Sequence, residues 1–115
     1  MLLAGKTLTE AVAEATDHET TKELFGYLPG VATWPREKVK SSGYVADTLE
    51  AAVWSLANTS CFRDALIKAI NLGDDTDTVG AVTGGLAGII YGYESIPKEW
   101  LEVLRRKDLI DMYLF

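Results

Sequence analysis

The sequence is short of the residues that build disulfides, basic surfaces and membrane spans. Cys61 is its single cysteine, so no internal disulfide can form, and a reducing compartment, the cytoplasm, is the expectation. Lying between Ser60 and Phe62, it reads as a small buried structural residue rather than a nucleophile. His18 is the single histidine. Asp17-His18-Glu19 could suggest a metal cluster, but adjacent side chains diverge on a helix, so His18 reads as a solvated loop residue. There is no run of Lys or Arg. The densest basic cluster, Arg105, Arg106 and Lys107, reads as a solvated helix face, and a net charge of −6 argues against a nucleic-acid surface. The apolar run from Val79 to Tyr93 is 15 residues long and follows three aspartates. A membrane span needs about 20 apolar residues, so none is expected. The start, Met-Leu-Leu-Ala-Gly-Lys, is too soon interrupted for a signal peptide. No segment alternates with period two for long enough to make a strand, and there is no repeat.

What is present is a helical pattern. The 115 residues, 48% of them hydrophobic, suit one small packed domain over 1–115. Leu8 to Thr16 reads as a helix capped by Thr7 or Thr9, with Leu8, Val12 and Ala15 on one face. Glu19 to Leu24 predicts another short turn of helix. Phe25 to Ser42, punctuated by Gly26, Pro29, Gly30 and Pro35, predicts a chain of turns. Residues 44–57 carry the stripe Val45, Leu49, Ala52, Val53 and Leu56. Asn58-Thr59 breaks it, and Ser60 is placed to cap a helix with the stripe Phe62, Leu66, Ala69 and Ile70. Pro97 predicts the first turn of a helix running to about Leu104, and Asp108 to Tyr113 a last short one. Trp34, Trp54 and Trp100 read as core or loop anchors. The fold class is all-α, a helical bundle.

The chemistry concentrates in Gly73-Asp74-Asp75-Thr76-Asp77-Thr78. Its side chains are oxygen donors only, the set that hard cations such as Mg²⁺, Mn²⁺ or Ca²⁺ prefer. Positions two apart diverge on a helix, so Asp75 and Asp77 converge only if Gly73 to Thr76 is a turn and Asp77 or Thr78 opens the helix. There, free N–H groups hold carboxylates in place. An acidic N-cap cluster without a metal accounts for the same residues equally well. An EF-hand fails, with Val79 at its fifth position and Leu86 where the bidentate Glu belongs. A DDxxD motif fails at Thr78. Gly80, Gly84, Gly88 and Gly92 then recur every four residues. Each costs about 1 kcal/mol against alanine in a helix, so the spacing predicts a close helix–helix approach along that face.

With Ser41-Ser42-Gly43-Tyr44-Val45-Ala46-Asp47-Thr48-Leu49-Glu50-Ala51-Ala52-Val53-Trp54 upstream of this segment, the chain resembles the ADP-ribosylglycohydrolase family. The resemblance is to the carboxy-terminal part of such enzymes. It implies an all-α fold, two Mg²⁺ ions in the complete site (Mn²⁺ as a substitute), and hydrolysis at ribose C1″ of ADP-ribosylated substrates. It places metal ligands at Asp75, Asp77 and Thr78, and substrate-lining residues at Ser42, Gly43 and Tyr44. Tyr44 is equally readable as a helix-opening core residue. Asp74 stands where the family often has glycine. The family's amino-terminal acidic cluster, typically Thr-Asp-Asp, and its water-assisting acid are not reproduced by Glu14, Asp17 or Glu19, so no catalytic residue is assigned. The expectation is a carboxy-terminal fragment or a split subunit that binds one ion weakly or none and has little or no activity alone, with a partner chain or a second copy as a source of the missing half. A non-catalytic helical binding or self-association module is the alternative. Either way, exposed apolar surface is expected to be covered by dimerisation or rearranged packing. The acceptor, whether arginine, serine or a small molecule, stays open.

Overall fold

The apolar stripe of residues 45–57 organises the molecule. A computed structural model describes residues 8–15, 17 and 25–114, and every regular element among them is helical. Helix α1 is Leu8–Ala15, α2 Val45–Ala57, α3 Phe62–Ile70, α4 Thr76–Tyr91, α5 Lys98–Glu102 and α6 Lys107–Leu114. A 3₁₀ helix of two turns at Leu28–Thr33 and single 3₁₀ turns at Arg36–Lys38 and Tyr93–Ser95 fill the connections. The expected helix at Glu19 to Leu24, the Thr7 cap and His18 lie outside the described residues.

Two short connections reverse the chain, so α3 runs back along α2 and α4 returns against both. Helices α2 and α4 therefore start at the same end of the bundle. One core cluster joins Leu28, Val31, Val39, Ala51, Trp54 and Val79, with Trp34 and Leu49 packed against it. A second joins Leu56, Phe62, Ala65, Leu66 and Ala87, with Trp100 on its flank. The three tryptophans anchor as their size predicts. Trp54 also donates its indole N–H to the Trp34 carbonyl at 2.9 Å, and Asn58 donates to the Ala32 carbonyl at 3.1 Å. Those bonds pin the proline-punctuated turns onto α2. Arg36 donates to the Asn71 carbonyl at 3.0 Å, a cation where the last carbonyls of α3 need one.

Several sequence expectations need correction at the ends of elements. Cys61, not Ser60, caps α3: its sulfur accepts from the Asp64 N–H at 3.4 Å, and the residue is half-buried rather than fully buried. Val45, expected on the apolar stripe, is 70% exposed, while Thr48 in the same first turn of α2 is buried. Pro97 is the N-cap of α5, which stops at Glu102 instead of reaching Leu104. The glycine stripe is used only in part. Gly80 faces Ile70 and Gly84 faces Leu66 on α3, Gly88 faces open space, and Gly92 ends the helix at φ +84°. No helix among the described residues is long and apolar enough to cross a membrane.

Candidate functional site

Two loops meet where α2 and α4 begin. The Asp75 N–H donates to the Ser41 carbonyl at 3.0 Å, and the Ser41 hydroxyl donates to the Gly73 carbonyl at 2.7 Å. These bonds lay the Ser41–Tyr44 turn against the acidic loop. Gly73 at φ +82° and Asp74 at φ +59° make the reversal between α3 and α4. Asp tolerates this left-handed conformation better than most side chains, which gives Asp74 a backbone reason for its place.

Helix α4 opens at Thr76, one residue before Asp77 and two before Thr78, the two expected positions. Asp75 is its N-cap and Thr76 its first residue, with the first helical bond running from the Val79 N–H to the Asp75 carbonyl at 3.1 Å. Asp75 thus sits outside the helix, where its side chain is released from helical periodicity. Asp77 beside it, and then Thr78, hold its carboxyl below the usual carboxylate range, while its side chain makes no capping bond to the helix. The three expected ligands are therefore within one turn of each other. Asp77 is exposed, and Asp75 and Thr78 are half-exposed, so the cluster faces outward.

The residues expected to line the substrate fall beside this cluster. A Cβ on Gly43 would land on the Asp75 carboxylate, so only glycine leaves that carboxylate room. Tyr44 is the N-cap of α2 and 67% exposed, which removes the alternative of a helix-opening core residue. Ser42 is half-buried and hydrogen-bonded on three sides. Its hydroxyl donates to Asp47 Oδ2 at 2.7 Å and accepts from the Tyr44 N–H at 3.2 Å, while its carbonyl accepts from the Thr48 hydroxyl at 2.8 Å. Sequence reasoning gave no role to Asp47 or Thr48; the available signal was an acid and a threonine in the first turn of the helix that Tyr44 caps. Next to them the Tyr27 hydroxyl donates to the Glu50 carboxylate, and its ring stacks on Trp34 at 6.2 Å and 10°.

The donor set has the chemistry of a hard-cation site, with two carboxylates and a hydroxyl on one turn. It is one-sided, since no group of three or more His, Cys, Asp or Glu suited to a metal forms among the described residues. Two helix N-termini, each carrying a partial charge of about +0.5, open beside each other and favour the carboxylates of Asp47, Asp75 and Asp77 placed there.

The ADP-ribosylglycohydrolase family profile matches residues 2–114. The chain belongs to the ADP-ribosylglycohydrolase family. It is 55% identical over 75 residues to the ADP-ribosylarginine hydrolase Tri1 of Serratia proteamaculans, covering 65% of this chain and 20% of that protein. It is 41% identical over 70 residues to the ADP-ribosyl-[dinitrogen reductase] glycohydrolase of Rhodospirillum rubrum, covering 61% of this chain and 24% of that one. A shorter match, 49% over 35 residues, reaches the mouse ADP-ribosylhydrolase ARH3, covering 30% of this chain and 10% of that protein. The chain thus spans about a fifth to a quarter of the length of the first two of these ADP-ribosylglycohydrolases.

Proposed function

We propose that this ADP-ribosylglycohydrolase chain contributes the carboxy-terminal half of a Mg²⁺-dependent hydrolase site that cleaves the glycosidic bond at ribose C1″. The substrate is an ADP-ribosylated protein or small molecule. Linkage through arginine is the first to test, because the Serratia relative is named for it. One observation carries the reading: the Asp75 carboxylate rests on Gly43, so both family segments build a single surface.

In this reading Asp75, Asp77 and Thr78 hold Mg²⁺, with Mn²⁺ as a substitute, and Ser42, Gly43 and Tyr44 line the ADP-ribose. When bound, the metal supplies polarisation of the ribose hydroxyls or of a water. Gly43 leaves room for the Asp75 carboxylate, and the exposed Tyr44 ring offers a flat face to ribose or base. The remaining acidic ligands and the acid that assists the water come from outside the described residues, in a partner chain or another segment. Alone, the chain then has little or no hydrolase activity. A lone thiol fits a reducing, cytoplasmic setting.

Calorimetric titration with Mg²⁺, then with ADP-ribose, tests this. The expected result is weak Mg²⁺-dependent binding that disappears in the Asp75→Ala, Asp77→Ala double variant. Equal behaviour of wild type and variant would overturn it. A second reading, a non-catalytic helical module that self-associates, is favoured by a different observation. An apolar groove of about 360 Å³ between α3 and α5 is lined by Phe62, Leu66, Ile96, Trp100 and Leu104.

A further inference from the structure

We propose that Asp47 is a positioning residue for the Asp75 carboxylate, acting through Ser42 and Gly43. The inference rests on the reading of Asp75 as a metal ligand, and it adds a residue to which that reading gives no role. Gly43 forms the floor under the Asp75 carboxylate, so the carboxylate can stay where it is only while Gly43 does. What fixes Gly43 is the residue on each side of it. Ser42 is held at its hydroxyl by Asp47 at 2.7 Å and at its carbonyl by Thr48 at 2.8 Å. The Tyr44 N–H is held by the same Ser42 hydroxyl at 3.2 Å. Asp47 and Thr48 are neighbours in the first turn of α2, so the glycine floor is bolted to a helix rather than left to a loop.

The bonds are strong enough to matter. The Ser42 hydroxyl to Asp47 bond has an ionised acceptor and is partly buried, the class that is costly to leave unmade. Removing the acceptor frees the Ser42 hydroxyl, which then releases the Tyr44 N–H as well. On the other side the turn is tied to Gly73 and Asp75 through Ser41. Movement of residues 42–44 is therefore passed to the start of α4 at the Asp75 N–H. The rival role for Asp47 is a plain negative charge in the first turn of α2, which favours the helix N-terminus at any geometry. Asparagine separates the two. Its carbonyl oxygen accepts from Ser42 as a carboxylate does, but it carries no charge.

The test compares wild type, Asp47→Ala, Asp47→Asn and Thr48→Val, with amide hydrogen exchange by NMR and Mn²⁺ titration as readouts. Positioning predicts that the Asp75 amide exchanges about tenfold faster or more in Asp47→Ala, the size of one charge-assisted hydrogen bond. The slowest amides of α2 and α4 keep their rates. Asp47→Asn, which keeps the acceptor but makes a weaker, neutral bond, recovers most of the protection lost in Asp47→Ala, and Thr48→Val reproduces part of the loss without touching the charge. Mn²⁺ affinity falls in the same order. Unchanged exchange at Asp75 in Asp47→Ala, or an asparagine variant as impaired as the alanine one, would overturn the proposal. If wild type binds no Mn²⁺, the metal reading fails on that result alone, while the exchange data still decide whether Asp47 positions Asp75.

Discussion

At the scale of single residues, the site depends on what is missing from Gly43. In Gly43→Ala the new methyl group and the Asp75 carboxylate claim the same place. The atom that must yield is the end of a rotatable side chain, so the expected loss of stability is small, about 0.5–1.5 kcal/mol for a displaced rotamer. Metal and ADP-ribose binding should fall far more than the melting temperature does, and calorimetry alongside the titration compares the two. Sequence reading found Gly43 only through the family motif. A loop glycine carries no local sign of which side chain will rest on it, because that partner lies more than thirty positions away. Asp75 and Asp77 stood out in the sequence as an oxygen-donor cluster, which a helix N-terminus accounts for as well as a metal does. Asp47 did not, because its meaning depends on a hydrogen bond to Ser42. Tyr27 is a second case of tertiary context. Desolvation first, and then its hydrogen bond to Glu50, push its hydroxyl from 10.0 up to about 12. A raised phenol pKa means that the folded state holds the proton more tightly. Its contribution is whole below pH 10 and disappears as pH rises through about 12. Denaturant unfolding of wild type and Tyr27→Phe should therefore show a stability difference that is constant to about pH 9.5 and shrinks towards pH 12. A difference that held level across that range would place the Tyr27 hydroxyl in water.

At the scale of elements, helical period gave the number and order of the main helices, because stripes such as Leu49, Ala52, Val53 and Leu56 have no other regular use. The ends were less legible. Caps depend on which of several polar residues the chain turns inward, and Cys61 displaced Ser60 through a single sulfur contact. The glycines of α4 show how a sound inference can overreach. Four in register predict close packing along a whole face. Yet a Cβ on Gly80 would lie 3.6 Å from Ile70, one on Gly84 3.7 Å from Leu66, and one on Gly88 would meet nothing within 4 Å. The first two are ordinary van der Waals distances, and nothing in the structure explains Gly88. Gly88→Ala should thus stabilise the chain by about 0.5–1 kcal/mol through helix propensity. Gly84→Ala should do the same and add a contact to Leu66. Gly92→Ala should act oppositely, because φ +84° with ψ 163° is a conformation essentially reserved to glycine and costs any side chain about 1–3 kcal/mol. Chemical denaturation of the three variants measures all three signs. A destabilising Gly88→Ala would mean that something does approach that face.

At the scale of the whole molecule, the family motif and the hydrophobic pattern place the fold, but they do not show which apolar surface is left uncovered. That surface emerges only once α3, α4 and α5 are packed. The groove lined by Phe62, Leu66, Trp100 and Leu104 lies open, braced at one rim by the ion pair of Arg63 and Glu99 at 2.8 Å. Beyond it Val103 is 79% exposed and Met112 69%. Exposed apolar area costs about 25 cal/mol per Å², and a stable interface needs about 1,200–2,000 Å² in total. A second copy could supply such a surface, but a net charge of −6 on each chain opposes the encounter. The two effects differ in their response to salt. Repulsion is screened over about 10 Å at 0.1 M, whereas apolar burial is not weakened. Self-association should accordingly strengthen as salt rises from about 0.05 to about 0.5 M, as read by sedimentation equilibrium. Leu104→Glu, which places a charge at the mouth of the groove, should return the chain to a monomer with its melting temperature retained. Wild type that stays monomeric at high concentration and high salt would remove the self-association reading and leave the groove to a different occupant.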